Sequence, residues 1–313
     1  MHRLGPPTRV AKGAVKDVLQ RLPRRLQPGR VRARKAWAIG IYGGATPLTL
    51  APLVAGPVLT KRAVGDVPAD FVADPFLIKR DVRWYMLMEV FNRRRGLGEI
   101  GLATSADDGR SWDYDRIVLR EPFHLSYPHV FQHGDDVFLV PETEAAESVR
   151  LYRATGFPHG WKHESDLVTG HRFRDPTVFS RDGRWWLFTE TGEGWTDGVL
   201  RLYHAERLTG PWHEHPASPV VEGDARITRP AGRVVEHDGA LLRFTQDCSE
   251  QYGKRVYAAR ITRLSSLEYT EEPLLEKAVL EGSGTTGWDG DRLHHLDLHQ
   301  LRDGRWFAAV DGH

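Results

Sequence analysis

Short apolar runs recur along the chain in pairs, and a charged or glycine-containing turn separates the two runs of each pair. The first clear pair is Asp74–Ile78 with Trp84–Glu89, and two further pairs begin at Tyr127 and Asp175. Apolar runs of this length joined by Asp and Gly predict β-hairpins. In all three pairs the residue before a proline and the closing Glu are 15 positions apart. The pattern therefore predicts a repeated hairpin.

The hairpins belong to a longer repeat. Two looser copies begin at Arg229 and His295, and a second apolar pattern follows each of the first four hairpins. That pattern ends in an aromatic residue at Trp112, Trp161, Trp212 and Tyr269. Four strands per unit, repeated about every 50 residues, are typical of a propeller blade. We therefore predict an all-β fold, a five-bladed β-propeller over residues 37–313.

The fifth unit stops after two strands, at His313, so its missing strands are expected from the N-terminal side. Residues 36–42 and 57–60 are the candidates, and their addition would close the propeller and remove an exposed sheet edge. The uncharged stretch 37–60 also resembles a membrane anchor. However, it contains Pro47, Pro52 and Pro57, which would break the hydrogen bonds of a spanning helix. We therefore favour closing strands.

Charge divides the chain into two parts. Residues 1–36 contain eleven Lys or Arg and one acid, Asp17, although the whole chain has a net charge of only +1. This composition predicts a basic N-terminal arm that is partly disordered or helical. The arm could be a solvated extension or could touch an anionic membrane surface, and no nucleic acid partner is expected. Cys248 is the single cysteine, which favours a cytoplasmic protein, peripheral to a membrane if the arm binds lipid.

The first strand of each blade lines the central channel of a propeller. The repeat therefore places one ring of residues around the channel: Asp74, Tyr127, Asp175, Arg229 and one of His295 or Asp297. A second set stands behind this ring: Glu89, Glu142, Glu190 and Asp247. Crowded acids push their pKa values apart, which suits acid–base chemistry. Each acid alone could instead cap a strand or pair with an arginine, but together they predict a polar ligand site.

The blade starts Ala73-Asp74-Pro75 and Arg174-Asp175-Pro176 resemble those of the five-bladed glycoside hydrolases, the arabinanase, xylosidase and invertase group. Residues 37–313 more specifically resemble the propeller domain that precedes the transferase domain of plant glucosamine inositolphosphorylceramide transferases, and its stand-alone bacterial relatives. The segments that carry this resemblance are Trp37–Tyr42, Phe71–Pro75, Gly98–Ala103, Glu121–Pro128, Arg229–Arg233 and His294–Asp297. The transferase domain has no counterpart in the sequence, so transferase activity is not expected.

The resemblance implies roles for several acids. Asp74 matches the base or nucleophile of the hydrolases, and Glu190 or Glu142 would be the acid. Tyr127 departs from the family pattern, because an Asp is expected at the start of the second blade. We expect Asp175 to hold a sugar hydroxyl or to stabilise positive charge. The remaining residues expected to contact the substrate are Glu89, Tyr127, Arg229, Asp247, His295 and Asp297, with Arg229 binding any anionic group.

The function predicted first is that of a carbohydrate-active, glycoside hydrolase-like enzyme. Its substrate would be a small molecule or oligosaccharide, that is, a glycoside or sugar-containing metabolite. One alternative is a non-catalytic sugar-binding module that partners a glycosyltransferase, and another is a propeller repurposed for an acid-catalysed cyclisation. No cofactor is expected. The histidines lack the spacing of a metal motif, although a divalent cation on the channel axis remains an alternative.

Overall fold

The computed structural model describes residues 36–313 except residue 193 and residues 195–197. Five antiparallel sheets make up this part of the chain, one for each predicted blade. The predicted five-bladed β-propeller is therefore confirmed. The predicted basic arm, residues 1–36, lies outside the described residues except for Ala36.

The strands follow the chain from blade to blade. Strands β1 (Ala38–Thr46) and β2 (Thr49–Pro52) belong to the fifth blade. The first blade contains β3 (Ala69–Arg80), β4 (Arg83–Asn92), β5 (Leu97–Ser105) and β6 (Asp113–Leu119). The second contains β7 (Ser126–His133), β8 (Asp136–Glu142), β9 (Ser148–Gly156) and β10 (Gly160–Thr169). The third contains β11 (Arg174–Arg181), β12 (Arg184–Thr191), β13 (Val199–Ala205), β14 (His213–Glu214) and β15 (Val221–Glu222). The fourth contains β16 (Arg229–Pro230), β17 (Val235–His237), β18 (Ala240–Asp247), β19 (Arg255–Leu264), β20 (Tyr269–Leu274) and β21 (Leu280–Glu281), and the fifth ends with β22 (Leu296–Gln300) and β23 (Trp306–Gly312).

The fifth blade joins the two ends of the described chain. Strand β1 pairs antiparallel with β23, with Ile39 opposite Asp311, and β2 forms the outer strand. Residues 57–60, which the sequence had suggested as the outer strand, instead touch β1 through one bridge between Leu59 and Ile39. This pairing buries residues 38–43 as sheet and core, whereas most of residues 49–57 are exposed. Among the described residues, no helix has the length and apolar character needed to cross a membrane.

The inner strands of the first three blades share a distortion at their start. Asp74, Tyr127 and Asp175 have φ angles of 51°, 46° and 47°, although none is a glycine and each precedes a proline. The left-handed region is costly for such residues, and a following proline restricts them further. The register shifts at all three positions, between Ala73 and Phe76 in the first blade. A strained conformation repeated at equivalent places is typical of a functional site.

The fourth blade departs from this plan, and its departure corrects the sequence alignment. Its inner strand is interrupted, because β16 has two residues and β17 pairs separately with β18. Gln246 lies opposite Val256 of the third strand, as Glu89 lies opposite Ile100 in the first blade, so Gln246 is the counterpart of Glu89. The sequence alignment, which matched Asp247 with Glu89, was therefore wrong by one position. The side chain of Asp247 accepts hydrogen bonds from Ser249 and lies 3.3 Å from Arg255.

Blade contacts are apolar away from the channel. Ile39 and Ile41 of the fifth blade pack against Leu77 and Met86 of the first in one buried cluster. Each fully buried aliphatic side chain of this kind contributes roughly 1.5–3 kcal/mol. The fourth and fifth blades approach so closely that a Cβ built on Gly232 would lie 1.7 Å from the carbonyl oxygen of Leu296. Only glycine fits at this point, where φ is +140°.

The Gly232→Ala variant is therefore expected to lower the free energy of unfolding by about 3 kcal/mol or more. The added methyl group must displace the backbone of the next blade. Gly239→Ala in the same blade is the matched control, because φ there is +75° with no atom near the new methyl group. We expect only the conformational cost of roughly 1–2 kcal/mol in the control. Equal losses in urea denaturation would contradict the proposed close contact.

Candidate active site at the channel mouth

Six buried carboxyl groups converge where the inner strands begin and the second strands end. They come from four blades and interact electrostatically with one another. The six are Asp74, Glu89, Glu142, Asp175, Glu190 and Asp311. The first five are predicted site residues, and the structure brings them together. Asp311 was not predicted as a site residue.

Three of these acids hold neighbouring blades together. Asp311 accepts a hydrogen bond from the backbone N–H of Asp74 (2.9 Å), and Asp74 accepts one from Tyr127 (3.1 Å). Glu142 accepts one from the N–H of Asp175 (3.0 Å). In each case the donor is the residue with positive φ that precedes the proline of the next blade's inner strand. For Asp74 and Glu142 this structural role uses one carboxylate oxygen and leaves the other for chemistry, whereas both oxygens of Asp311 accept hydrogen bonds.

The same crowding shifts the pKa values. Burial raises the pKa of Asp74 to about 7, against the lowering effect of His294. Burial raises the pKa of Glu89 well above its ordinary range, and the nearby charges of Asp74 and Glu142 add to the rise. Burial, followed by Asp175, raises the pKa of Glu142 in the same direction. Glu89 and Glu142 are therefore the groups most readily kept protonated at neutral pH.

His294 completes one side of the mouth. Its Nδ1 lies 2.6 Å from Asp311 and its Nε2 lies 3.5 Å from Asp74. Trp37 stacks on the imidazole ring at 4.2 Å. Burial opposes protonation of His294, but Asp311 outweighs it, so the pKa of His294 is raised. In return, His294 overcomes the burial of Asp311 and lowers the pKa of that carboxyl.

Asp74, His294 and Asp311 also form the one group with metal-ligand geometry among the described residues. Their ligand atoms lie within 4.8 Å of one another. However, Asp311 already accepts bonds from His294, from the backbone of Asp74 and from the backbone of His295. A cation would have to displace these donors. The arrangement therefore fits an ion pair better than a metal site.

The opposite side of the mouth carries its own positive charges. The Nε of Arg229 donates to Asp175 (2.5 Å), and one of its terminal nitrogens lies 3.7 Å from Glu142. Arg174 lies 3.3 Å from Glu190. Burial raises the pKa of Glu190, and both arginines oppose the rise. Because Arg229 is already paired, its predicted role of binding an anionic group has little charge left to support it.

Several buried acceptor atoms at the mouth have no donor. Glu89 Oε1, Glu190 Oε1 and Gln246 Oε1 make no hydrogen bond with any residue that the structure describes. His124 Nε2 lies 3.3 Å from Glu89 Oε1 without hydrogen-bonding geometry. Buried polar atoms are normally satisfied. An excess of acceptors therefore indicates a ligand that donates hydrogen bonds, as hydroxyl groups do.

Glycines make room for two of these acceptors. A Cβ built on Gly98 would lie 2.7 Å from Glu89 Oε1, and one on Gly198 would lie 2.8 Å from Glu190 Oε1. The two glycines occur at corresponding places, near the start of the third strand of the first and third blades. Only a residue without a side chain fits beside each glutamate, because Leu125 O lies 2.3 Å from the Cβ position of Gly98 and Thr228 Oγ1 lies 2.6 Å from that of Gly198.

Tyr127 and His295 lie inside the channel and not at its mouth. The side chain of Tyr127 is 0% exposed, and its hydroxyl bonds to Thr177 (2.7 Å) and to the backbone of Gly232. His295 is also fully buried, with Nε2 3.1 Å from the carbonyl oxygen of Pro75. These side chains shape the floor of the site. The structure gives them no surface for the direct substrate contact that the sequence had suggested.

Asp297 lies deeper still, which corrects its predicted place in the ring. It accepts the N–H of Leu77 (2.6 Å), three residues beyond Asp74 along β3. It also pairs with Arg233 and His299, and Arg233 overcomes burial to lower its pKa. The fifth-blade acid at the mouth is Asp311 instead. The hairpin register could have revealed Asp311 as a site residue. The backbone N–H of Asp311 donates to the carbonyl oxygen of His295, and this pair of the fifth blade corresponds to Glu89 and Ala73 of the first.

These features define a five-bladed β-propeller with buried carboxyl groups at one mouth of its channel. An exo-β-1,3-galactanase from Clostridium thermocellum is similar, with a TM-score of 0.55 at 15% identity, over 70% of this chain and 52% of that chain. A family 117 glycoside hydrolase from Zobellia galactanivorans gives a TM-score of 0.52 at 14% identity, over 77% of this chain and 84% of that chain. At these identities the similarity shows the fold alone.

The chain belongs to the family described as "Glucosamine inositolphosphorylceramide transferase 1, N-terminal", whose model matches residues 30–313. The rice (Oryza sativa subsp. japonica) protein named glucosamine inositolphosphorylceramide transferase 1 is 36% identical over 297 residues, which are 88% of this chain and 40% of the relative. The Arabidopsis thaliana protein of the same name is 32% identical, over 88% of this chain and 39% of the relative. The chain thus spans about 40% of the length of these relatives.

The raised pKa of Asp74 predicts a pH-dependent effect of Asp74→Asn. The native state of the wild type holds a proton on Asp74 up to about pH 7, whereas the unfolded state loses it near 3.8. The wild type should therefore lose stability relative to the variant as the pH rises between these values. We expect a change of more than about 1 kcal/mol, the equivalent of one pKa unit. Denaturation of both proteins from pH 4 to pH 8 measures it.

Asp303→Asn is the control for this comparison. Asp303 lies on an exposed turn, and its hydrogen bonds with Arg305 lower its pKa, so it stays ionised throughout the range. Its substitution should leave the pH profile unchanged. A parallel profile for Asp74→Asn and the wild type would contradict the raised pKa of Asp74.

Proposed function

We propose that this propeller is a carbohydrate-active enzyme that binds a hydroxylated ring at the channel mouth and acts on it with carboxylate acid–base chemistry. The observation that carries the proposal is the set of buried acceptors without donors, Glu89 Oε1, Glu190 Oε1 and Gln246 Oε1. Sugars and cyclitols present several hydroxyl donors on one rigid ring, and they match such a set. The glycosidase-like fold supports the same substrate class.

The chemistry requires one ionised and one protonated carboxyl group. Asp74 is the proposed base or nucleophile, because burial raises its pKa only to about 7 against the lowering effect of His294, so that it is ionised above that pH. Glu89 and Glu142 are the proposed candidates for the acid, because burial favours their protonated forms. Glu190, which the sequence suggested equally, is less suited to this role. Its carboxylate is held by Arg174, and both Arg229 and Arg174 oppose the rise in its pKa that burial causes.

Asp175 and the two arginines have a supporting role in this proposal. Asp175 accepts hydrogen bonds from Arg229 and from Gln246 Nε2 (2.8 Å). This leaves Gln246 Oε1 directed away from Asp175, free to accept a bond from a ligand hydroxyl. Asp175 would thus orient a substrate-binding amide and would add negative charge near a developing oxocarbenium ion.

The names of the relatives narrow the substrate class. The rice and Arabidopsis proteins are named as transferases for glucosamine inositolphosphorylceramide, a lipid with a sugar and a cyclitol in its headgroup. The structural neighbours include galactanases. We propose a glycoside with a hexose or inositol ring as the substrate, with a glycolipid headgroup as the class to be tested first.

A second candidate function is a non-catalytic sugar-binding module that serves a glycosyltransferase. Tyr127 favours it, because the expected second-blade acid is replaced by a tyrosine whose hydroxyl is tied to Gly232. In either case we propose that the protein works in the cytoplasm at a membrane surface. The net charge of residues 1–36 supports this, since eleven of them are Lys or Arg.

Turnover of a panel of hexosides and inositol glycosides separates the two functions. If the protein is an enzyme, Asp74→Asn should lower kcat about 10³-fold, because the base or nucleophile is lost. Glu236→Gln, which changes an exposed acid of β17 that pairs with Arg181, should have no effect. Turnover that persists within twofold in Asp74→Asn would contradict the proposed role of this residue.

The acid can be identified by comparing binding with turnover. Gln has the shape of a protonated Glu, so Glu89→Gln and Glu142→Gln should each keep the Kd for a substrate-like ligand within about threefold. Only the variant that lacks the acid should lose turnover, by roughly 10²–10⁴-fold. Titration calorimetry and kinetics on the same proteins give both values. Ligand binding without turnover in the wild type would support the binding module instead.

A further inference from the structure

The N-terminal end of the described chain lies on the same face as the candidate site. Each second strand ends at the channel mouth and each third strand begins there, so residues 93–96 form a mouth-side loop between β4 and β5. In the fifth blade the corresponding place between β23 and β1 holds His313 and residues 36–37. Trp37 stacks on His294 of the candidate site. Ala36 and Trp37 therefore lie beside the mouth.

Exposed cations gather on the same face, around the first blade. This group is called the first-blade rim here and consists of Lys61, Arg62, Arg93, Arg94, Arg95 and Arg120, all exposed. The positive charge of the rim contrasts with the net negative charge of the propeller, since residues 37–313 contain 32 Lys and Arg but 41 Asp and Glu. Asp70 lies 3.5 Å from Arg93, and the buried Glu99 pairs with Arg95 and Arg120. These two acids leave the rim with an excess of positive charge.

Two aromatic side chains lie beside these cations. Phe71 at the start of β3 stacks on Phe91 at the end of β4, with ring centroids 5.1 Å apart. Both are partly exposed, and Phe91 is followed within two residues by Arg93. Basic residues next to exposed aromatic rings are typical of surfaces that insert into the headgroup region of a bilayer.

We infer that the mouth face of the propeller docks on an anionic lipid bilayer through the first-blade rim. Clusters of four to eight Lys or Arg bind anionic membranes, with about 1 kcal/mol for each residue near the surface. The six cations of the rim fall within that range. The contact itself is independent of the proposed chemistry. Its purpose, to present the mouth to glycolipid headgroups, rests on the proposed function.

Vesicle binding by the full chain tests the inference. The protein should sediment with phosphatidylcholine vesicles that contain phosphatidylserine, less with phosphatidylcholine alone, and less at high salt. The double variant R93E/R94E should weaken binding at least tenfold, because two cations of the rim become anions. Asp74→Asn should bind as the wild type does, so that a failure of the proposed chemistry is distinguishable from a failure of this contact.

The matched control is R83E/R110E. Arg83 begins β4 and Arg110 lies in the turn between β5 and β6, so both are exposed at the opposite end of the same blade. This pair should keep vesicle binding within twofold. Equal losses in the two double variants, or no loss in R93E/R94E, would overturn the role of the rim. Failure of the full chain to bind phosphatidylserine vesicles would overturn the whole inference.

Fluorescence reports the orientation directly. Cys248 is buried and is the single cysteine, so Cys248→Ser removes the native thiol. An environment-sensitive dye is then attached through Arg94→Cys or Arg83→Cys. A blue shift with anionic vesicles is expected for the dye at position 94 and none for the dye at position 83. A shift at position 83 alone, or equal shifts at both, would contradict a membrane-facing mouth.

Discussion

Carboxylates of one blade accept hydrogen bonds from backbone N–H groups of the next blade, at residues with positive φ. The rest of the structure depends on these hydrogen bonds. Asp311 holds the backbone of Asp74, Asp74 holds that of Tyr127, and Glu142 holds that of Asp175. A buried N–H in the channel wall needs an acceptor. Because carboxylates supply it, closing the propeller crowds acids into a space that water scarcely reaches. The raised pKa values at the mouth follow from the way the blades are joined.

The charge at the mouth is unevenly distributed, and this unevenness gives the site its chemistry. On one side Arg229 and Arg174 neutralise Asp175 and Glu190. On the other side, the one cationic partner of Glu89 among the described residues is His124, whose pKa burial lowers. The second side is therefore where a carboxyl group most readily keeps its proton. Proton transfer between substrate and protein is best placed there.

The fold could be predicted from the sequence because each hairpin is specified locally. The spacing of 15 residues and the Asp/Gly turns fix strand pairing before any distant contact forms. The sequence alignment was wrong in the fourth blade because the inner strand of that blade is interrupted. As a result, Gln246 occupies the place that was expected for Asp247. Asp297 was misplaced because the fifth blade lacks the proline that marks the start of the other inner strands.

Other features of the site depend on three-dimensional contacts that no local pattern encodes. The hydroxyl of Tyr127 reaches Gly232, which is 105 positions away in sequence. The pairing of His294 with Asp74 spans the closure of the whole propeller. The raised pKa of Glu89 arises from burial and from acids on other blades. Sequence alone could identify these residue types but not their surroundings.

The most direct test of the account is a crystal structure of the protein soaked with a hexose and with an inositol glycoside. The account predicts a ring at the channel mouth, with hydroxyl groups within hydrogen-bonding distance of Glu89 Oε1 and Gln246 Oε1 and with its reacting carbon beside Asp74. A mouth that stays without a ring at high ligand concentration, or a ring bound only at the opposite end of the channel, would contradict it.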